Sequence, residues 1–319
     1  MSTEIEPATP GIILIAPHQF PEVEREKAFA AEFGREIVVA ANGAEFHAAV
    51  PDAELILVTP YARLERTDFA AMKRCTAVVR YGIGYDNIDV EAAREYGVPV
   101  SIVPGAASEE VGSHAFAMGL ALARRIPAGQ ASIAAGSWAG SIGFDTPRFS
   151  ELDVAVIGMG RIGARVAGWY AAIGTHVRAY DPFLEFDAVP AAPLEELLTE
   201  SHIVSLHIPL TPDTEHFIDA AVLGRMRRGS VIVNVSRGGL IDEAALAEAL
   251  HSGHIAGAGL DVFAQEPLPA EHVLRGAPNV IMTPHASWRS DRALETLQAG
   301  VVERCRQALT GEPISDLVA

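Results

Sequence analysis

Residues 154 to 181 contain the pattern that most restricts what this chain can fold into. They read VAVIGMGRIGARVAGWYAAIGTHVRAYD. A short apolar run leads directly into a turn with three glycines at 158–163, a helical pattern follows, and a second strand-like run ends on Asp181. This order of strand, glycine turn, helix, strand and acid predicts a βαβ unit of a parallel sheet.

The spacing of the three glycines predicts a dinucleotide-binding turn. Gly158 allows the tight turn, Gly160 lets the backbone approach a pyrophosphate, and Gly163 lets the helix and the strand pack closely. The N-terminus of the helix offers N–H groups to phosphate oxygens. Asp181 follows Gly163 by 18 residues, and a carboxylate there accepts hydrogen bonds from ribose hydroxyls and repels a 2′-phosphate. The motif therefore predicts NAD rather than NADP.

The charge and the cysteine content exclude several classes of protein. A formal charge of −17 at pH 7 argues against nucleic acid or an anionic membrane as the main partner. No apolar stretch reaches the ~20 residues that a membrane-spanning helix needs, and the polar first ten residues show no secretory signal. Cys75 and Cys305 form no metal-ligand spacing. We expect a cytoplasmic protein with no metal site.

Strand-like and helix-like runs alternate along the chain, which predicts parallel sheets. In the first hundred residues, strands are expected at 11–16, 36–40, 55–58, 77–80 and 98–102, and helices at 22–33, 44–50 and 89–96. From Leu152 onward, strands are expected at 153–157, 176–180, 202–207, 230–235, 256–260 and 279–283, and helices at 194–199 and 243–252. Long helical patterns cover 109–125 and 291–309.

These runs predict an α/β fold with two domains. A Rossmann dinucleotide-binding domain is expected over 105–286. A flavodoxin-like parallel-sheet domain for the substrate is expected from both chain ends, 1–104 and 287–319, because the residues after the last strand are too few to form a domain. Residues 129–147 are rich in Gly, Ala and Ser, with Trp138 and Phe144 isolated among them, and they predict an irregular arm that packs on a second subunit.

Three polar side chains follow strands of the second half and form a coherent set for carbonyl chemistry. Arg237, Glu266 and His285 come after the strands at 230–235, 256–260 and 279–283, and ligands bind outside the carboxyl ends of strands in open α/β sheets. A cation orients and polarises a substrate, a histidine moves a proton at neutral pH, and a carboxylate fixes the tautomer of the ring. Taken one by one, a surface arginine, a loop acid and a satisfied buried histidine are equally open interpretations. His207, before Ile-Pro-Leu, is interpreted as scaffolding of the cofactor loop.

In the first half, glycines follow the strand at 77–80. Gly82 and Gly84 would expose backbone N–H groups in a small nest that suits a carboxylate, and Arg80 adds a positive charge. A plain tight turn remains the alternative.

Taken together, these segments resemble the D-isomer-specific 2-hydroxyacid dehydrogenase family. The resemblance runs over nearly the whole chain: RYGIGYDNIDV at 80–90, GMGRIG at 158–163, YDP at 180–182, HIPLTPDT at 207–214, MRRGSVIVNVSRGGLIDEAAL at 226–246, GAGLDVFAQEPLP at 257–269 and TPHAS at 283–287. It implies an NAD-dependent oxidoreductase that interconverts a 2-keto acid and a D-2-hydroxy acid by hydride transfer. It also implies a homodimer built largely on the nucleotide domain and the 110–150 region.

The resemblance assigns roles to individual residues. It implies that His285 is the acid/base with Glu266 as its partner, that Arg237 holds the substrate, and that the N–H groups of Ile83 and Gly84 bind its carboxylate. It implies that Asp261 holds the nicotinamide carboxamide. The residues expected at the cofactor are Gly158, Gly160, Arg161, Ile162, Gly163, Asp181, His207, Pro209, Thr214, Val235, Ser236, Arg237, Asp261 and His285.

Some details are similar to the branch that contains the C-terminal binding proteins, which are dehydrogenase-like corepressors. Arg80 before the glycines, the run at 103–110, and Trp288 after TPHAS fit that branch. Trp288 and Arg80 are therefore expected at the substrate, with core packing the alternative for Trp288. An NAD(H)-sensing corepressor-like protein is the alternative function. The chain ends near residue 319, so neither a regulatory domain nor the extended corepressor tail is expected.

Overall fold

The computed structural model describes residues 11–139 and 146–319. Contacts divide them into two compact units. The first unit comprises the described residues up to Ala107 together with Ser290–Ala319, and the second is Ser108–Arg289. These divisions fall three residues after each of the domain boundaries expected from the sequence.

The first unit contains a parallel five-stranded sheet in the order β2-β1-β3-β4-β5 within the described residues. Its strands are β1 (Ile12–Ile15), β2 (Glu36–Val39), β3 (Ala53–Val58), β4 (Ala77–Arg80) and β5 (Val100–Ile102). Its helices are α1 (Glu24–Glu32), α2 (Gly43–Ala49), α3 (Arg66–Ala71), α4 (Val90–Glu95) and the C-terminal helix Asp291–Thr310. The strand order 2-1-3-4-5 is that of flavodoxin-like folds, which confirms the expected architecture.

The second unit contains a parallel six-stranded sheet in the order β11-β10-β9-β8-β6-β7 within the described residues. Its strands are β6 (Asp153–Ile157), β7 (His176–Tyr180), β8 (Ile203–Leu206), β9 (Ser230–Asn234), β10 (Ile255–Leu260) and β11 (Val280–Met282). Its helices are α5 (Ser108–Ala123), α6 (Ile126–Ala134), α7 (Gly163–Ala172), α8 (Leu194–Glu200), α9 (Ala220–Arg225) and α10 (Glu243–His251), and we number the C-terminal helix α11. This is the expected Rossmann-type sheet.

The central strands of both sheets, such as β3, β4, β8 and β9, are buried on both faces, which explains why their sequences are nearly continuous apolar runs. One core of the second unit includes Ile157, Leu206 and Ile232. Another core of the same unit includes Val154, Val156 and Val233, whose side chains alternate with those of the first along the strands. Each face of the sheet is therefore covered by its own apolar layer.

Polar caps set where several helices begin. The side chain of Asp242 accepts hydrogen bonds from the backbone N–H groups of Ala244 and Ala245 at the start of α10. Ser290 accepts one from Ala293 at the start of α11, which ends on Gly311 with a φ of 75°. These caps satisfy N–H groups that have no partner inside the helix.

The expectation of an irregular segment at 129–147 is wrong for its first part. Residues Ile126–Ala134 form α6, with Pro127 in the first turn, where a missing N–H costs nothing, and with alanines that favour a helix. The sequence pattern did not predict this helix because its small side chains give no amphipathic periodicity. Trp138 is 77% exposed, and Phe144 lies outside the described residues.

Every helix in the described residues is too short or too polar to cross a membrane.

Candidate functional site in the second unit

The glycine turn follows β6, where the strand order of the sheet reverses. The chain passes from β6 to β7 on one side and returns to β8 on the other, and such switch points form ligand crevices. Gly158 has a φ of 96°, and a Cβ there would lie 2.5 Å from the carbonyl oxygen of His207. Only glycine fits because both the conformation and the contact exclude a side chain.

The other two glycines differ in what surrounds them. A Cβ at Gly163 would lie 1.9 Å from the carbonyl oxygen of Gly158, so this position holds the start of α7 against the turn. No atom lies within 4 Å of a Cβ built at Gly160, which therefore faces open space. The neighbouring Arg161 is exposed and Ile162 is half-buried. The turn thus offers bare backbone at the start of a helix, which fits the pyrophosphate of a dinucleotide.

Asp181 holds the turn as well as marking the end of β7. Its Oδ2 accepts a hydrogen bond of 2.8 Å from the N–H of Met159, and its Oδ1 accepts from Phe183 and Leu184. A carboxylate has about four acceptor positions, so it can still accept from ribose hydroxyls. Arg178, the nearest basic residue upstream, is paired with Glu200 at 2.7 Å.

The loop after β8 is built by its own side chains. The His207 Nε2 lies 2.8 Å from the hydroxyl of Ser205, and burial lowers the pKa of His207 to about 4. The ring is therefore neutral at physiological pH, which agrees with scaffolding rather than proton transfer. Thr214 donates from its hydroxyl to the carbonyl oxygen of Pro209 at 2.8 Å and so closes the loop.

Glu266 and His285 are brought together although 19 residues separate them. The His285 Nδ1 lies 2.7 Å from Oε2 of Glu266, whose Oε1 accepts from the N–H of Phe263 at 3.0 Å. Burial acts to raise the pKa of Glu266, but the hydrogen bond and charge of His285, the Phe263 N–H and the charge of Arg237 together lower it. The carboxylate is thus ionised and holds Nδ1. Among the described residues, Nε2 of His285 has no hydrogen-bond partner, so it remains available to a ligand.

Asp261 positions His285 through the backbone. This fully buried carboxylate accepts hydrogen bonds from the N–H groups of Ala286 and Ser287 and from the hydroxyl of Thr283 at 2.5 Å. The N–H of His285 donates to the Asp261 carbonyl oxygen at 2.8 Å, and His285 adopts a φ of 51°. Non-glycine residues with positive φ cluster at functional sites. Sequence reasoning missed this anchoring role, for which the signal was an acid at the end of a buried strand.

Arg237 follows β9 on a backbone that its neighbours fix. Asn234 accepts from the N–H of Ser236 and donates to the carbonyl oxygen of Arg237, while the Ser236 hydroxyl donates to Leu206. Val235 is buried and Arg237 is half-buried. The charge of Arg237 contributes to the lowered pKa of Glu266, and the Arg237 Nη1 donates a hydrogen bond of 2.7 Å to the carbonyl oxygen of Ser236. Trp288 is half-buried, and the Arg289 guanidinium carbon lies 5.8 Å from the centroid of a Trp288 ring.

The remaining expected residues lie in the first unit. Arg80 is 6% exposed, and its Nη1 would lie 2.6 Å from a Cβ at Gly82, so the guanidinium sits directly against the glycine turn. Among the described residues, no group accepts a hydrogen bond from the N–H of Ile83 or Gly84. This turn therefore offers two donors, as an anion nest requires.

Comparisons with known proteins agree with this geometry. Residues 116–287 match the family model described as D-isomer specific 2-hydroxyacid dehydrogenase, NAD binding domain. The chain is 39% identical over 276 residues to D-3-phosphoglycerate dehydrogenase of Mycobacterium bovis, covering 85% of this chain and 52% of that protein. It is 38% identical over 260 residues to glyoxylate reductase of Korarchaeum cryptofilum, covering 78% of each. The chain spans about half the length of the phosphoglycerate dehydrogenases that it matches.

The fold also matches solved structures. D-lactate dehydrogenase from Aquifex aeolicus, complexed with NAD and lactic acid, aligns with a TM-score of 0.85 at 27% identity, covering 96% of this chain and 98% of that one.

Proposed function

Because the chain belongs to the D-isomer-specific 2-hydroxyacid dehydrogenase family, we propose that it interconverts a 2-keto acid and a D-2-hydroxy acid with NAD(H). The observation that carries the proposal is the Glu266–His285 pair, 2.7 Å apart, in the unit that also holds the glycine turn. A histidine oriented by a carboxylate is the group that proton transfer to a carbonyl oxygen requires.

The residues of the second unit fit the cofactor. The open space at Gly160, the start of α7 and the carboxylate of Asp181 suit a pyrophosphate and its ribose. Bound NAD(H) supplies hydride transfer. The chain orients it through the glycine turn and the loop at 207–214. Asp261 is proposed to hold the nicotinamide carboxamide, and its hydrogen bonds from Ala286 and Ser287 fix the backbone that follows His285.

The protein supplies the proton and the orientation. In reduction, Nε2 of His285 donates a proton to the substrate carbonyl oxygen, while Glu266 holds Nδ1 and stabilises the charged ring. Arg237 binds the substrate carboxylate and polarises the carbonyl, as a charge-assisted donor does. In the first unit, the N–H groups of Ile83 and Gly84 are proposed to bind a carboxylate, and Arg80 adds positive charge beside their turn.

The decisive experiment is NADH oxidation with a panel of 2-keto acids. The relatives' names suggest 3-phosphohydroxypyruvate, glyoxylate and pyruvate, and longer apolar keto acids extend the panel. Turnover that disappears in His285→Ala supports the proposal. An enzyme that binds NADH but turns over none of them contradicts it and favours the NAD(H)-sensing alternative.

We also propose a homodimer. The helix α6 has no buried residue, and Ile126, Ile133 and Trp138 on and after it are 61%, 55% and 77% exposed. Contiguous apolar exposure of this kind marks an interface, and a second copy presents the same surface. Ile133→Asp should yield monomers by sedimentation, whereas wild-type monomers at the same concentration would contradict the proposal.

A cytoplasmic location stays a prediction.

A further inference from the structure

A buried carboxylate lies behind the glycine turn of the first unit. Glu26 on α1 is 1% exposed, and its Oε1 accepts a hydrogen bond of 2.8 Å from the hydroxyl of Tyr81. Its Oε2 accepts from the side-chain amide of Gln298 on α11 at 3.3 Å, and the same amide donates to the carbonyl oxygen of Glu22 at 3.0 Å. One carboxylate thus connects α1, α11 and the end of β4.

Tyr81 is the residue that leads into the turn. It lies between Arg80 and Gly82 and is 2% exposed. Its ring packs against Phe20 at a centroid distance of 4.9 Å, and its N–H donates to the carbonyl oxygen of Val58 at 2.9 Å. The side chain is therefore held at its ring by packing and at its far end by Glu26.

The turn itself begins at a glycine with a positive φ, and its carbonyl is fixed by a neighbouring segment. Gly82 has a φ of 119°, and its carbonyl oxygen accepts from the N–H of Val103 at 2.9 Å. The N–H of Ile83 shares a peptide plane with that carbonyl, so its direction depends on the bond to Val103 and on how Tyr81 anchors the backbone that enters the turn. An anion nest works only when its donors converge.

Stability alone does not explain a carboxylate in this place. Burial raises the pKa of Glu26, because the charged carboxylate is less well solvated inside the fold than in water. Replacing buried charged groups with well-packed neutral ones is often neutral or stabilising. The position of Glu26 behind the glycine turn points to a role in shaping that turn rather than in stability.

We propose that Glu26 is a positioning residue for substrate binding, which acts through the hydroxyl of Tyr81 to hold the N–H groups of Ile83 and Gly84 toward a carboxylate. The inference rests on the proposed function, because the ligand of the nest is the carboxylate of the 2-keto acid. It adds two residues of the first unit, Glu26 and Tyr81, to those that determine substrate affinity.

The test combines Tyr81→Phe, Glu26→Ala and the double variant. Loss of one hydrogen bond corresponds to a rise in the KM for the keto acid of roughly two- to tenfold in each single variant. The double variant should rise no further, because both changes break the same contact. The Kd for NADH should stay unchanged. Tyr96→Phe is the matched control, since Tyr96 is 44% exposed on the same unit.

A carboxylate-free substrate separates positioning from general damage to the fold. The 2-keto amide lacks the charge that the nest binds, so its KM should change little in Tyr81→Phe. Equal losses for acid and amide, or additive losses in the double variant, would overturn the inference. Conservative Glu26→Gln, which keeps an acceptor for Tyr81, should restore most of the affinity.

Oxamate gives a readout that needs no turnover. Calorimetric titration of oxamate in the presence of NADH should show weaker binding to Tyr81→Phe than to wild type. If the wild type turns over keto acids and the Kd for oxamate is the same in Tyr81→Phe, the role of Tyr81 is refuted while the proposed function stands. Wild type that neither turns over keto acids nor binds oxamate would refute the proposed function together with this inference.

Discussion

The carboxylate of Glu266 lies 2.7 Å from Nδ1 of His285, and the loop of each residue is fixed from a different direction. Glu266 is held by the N–H of Phe263, and the backbone of His285 by Asp261. Since the lowered pKa of Glu266 keeps it ionised, one nitrogen of the imidazole is bound to Glu266 and the other is available to a ligand. A group that moves a proton needs this division between its two nitrogens.

We expect His285→Ala to lower kcat by roughly 10²–10⁴-fold, the usual contribution of positioned proton transfer, with NADH binding retained. Glu266→Gln should move the pH profile of reduction to lower pH, because an amide stabilises the protonated ring less than a carboxylate does. Stopped-flow reduction over a pH series measures both effects.

The chain offers a matched control for this pair. His272 Nε2 lies 3.0 Å from Oε2 of Glu243, a second histidine–carboxylate pair in the same unit. His272→Ala should leave the pH profile in place. An active His285→Ala enzyme with an unchanged profile would refute the assignment.

Two alanine substitutions in the glycine turn distinguish an effect on cofactor binding from an effect on folding. Gly160→Ala should fold normally and bind NADH several-fold more weakly, because its methyl group enters the open space where the pyrophosphate is expected. Gly163→Ala should instead destabilise the fold, since its Cβ would lie 1.9 Å from a carbonyl oxygen, and overpacking typically costs about 1–3 kcal/mol.

Fluorescence titration of NADH and urea unfolding distinguish the two outcomes. Gly168→Ala on the exposed face of α7 is the control, since no atom lies within 4 Å of its Cβ. Unchanged NADH affinity in Gly160→Ala would place the pyrophosphate elsewhere.

Asp181 should make the enzyme prefer NADH over NADPH by kcat/KM, because its carboxylate repels a 2′-phosphate. Asp181→Asn should narrow that preference while it retains an acceptor oxygen for the turn. It should also weaken NADH binding, since both carboxylate oxygens already accept backbone hydrogen bonds and the amide leaves fewer acceptor positions for a ribose hydroxyl. Arg178→Gln should leave the ratio unchanged because Arg178 is paired with Glu200. Wild-type enzyme that used NADPH as well as NADH would count against this role of Asp181.

The sequence predicted the strands well because the central strands of both sheets are buried on two faces and therefore have apolar sequences. It also singled out Arg237, Glu266 and His285 from their places after strands; the structure brings Glu266 and His285 within hydrogen-bond distance, and the catalytic roles of all three stay predictions. It did not predict α6, whose small side chains carry no periodic signal, nor the anchoring of His285 by Asp261, because those contacts depend on where two loops meet.

The buried state of Glu26 was equally hidden from the sequence. It lies in EREKAFAAE, a segment with the composition of a solvated helix. Its burial depends on Gln298, which follows it by 272 residues. Side chains that become functional through such distant contacts are invisible to local patterns.

The raised pKa of Glu26 predicts how stability depends on pH. The folded protein binds this proton more tightly than the unfolded chain, so the contribution of Glu26 to stability falls as pH rises from below its ordinary value of 4.5 through the folded pKa. Glu26→Gln removes that titration. The free energy of unfolding of Glu26→Gln minus that of the wild type should therefore increase from acidic to neutral pH. Urea titrations at a series of pH values measure this difference. A difference that stays constant would mean that the folded protein does not perturb this group.

The last prediction concerns whether Trp288 determines which substrate side chains the enzyme prefers. It follows His285 by three residues in the chain and is half-buried, so part of its apolar indole face is accessible. If it lines the substrate pocket, keto acids with apolar tails should outcompete glyoxylate and phosphorylated substrates. Trp288→Ala should then lower kcat/KM most for the longest apolar tails and least for pyruvate, while Trp288→Phe should retain most of the discrimination. Measuring kcat/KM for a graded series of 2-keto acids decides the matter. An equal loss across the series would assign Trp288 to packing, where Arg289 already contacts its ring.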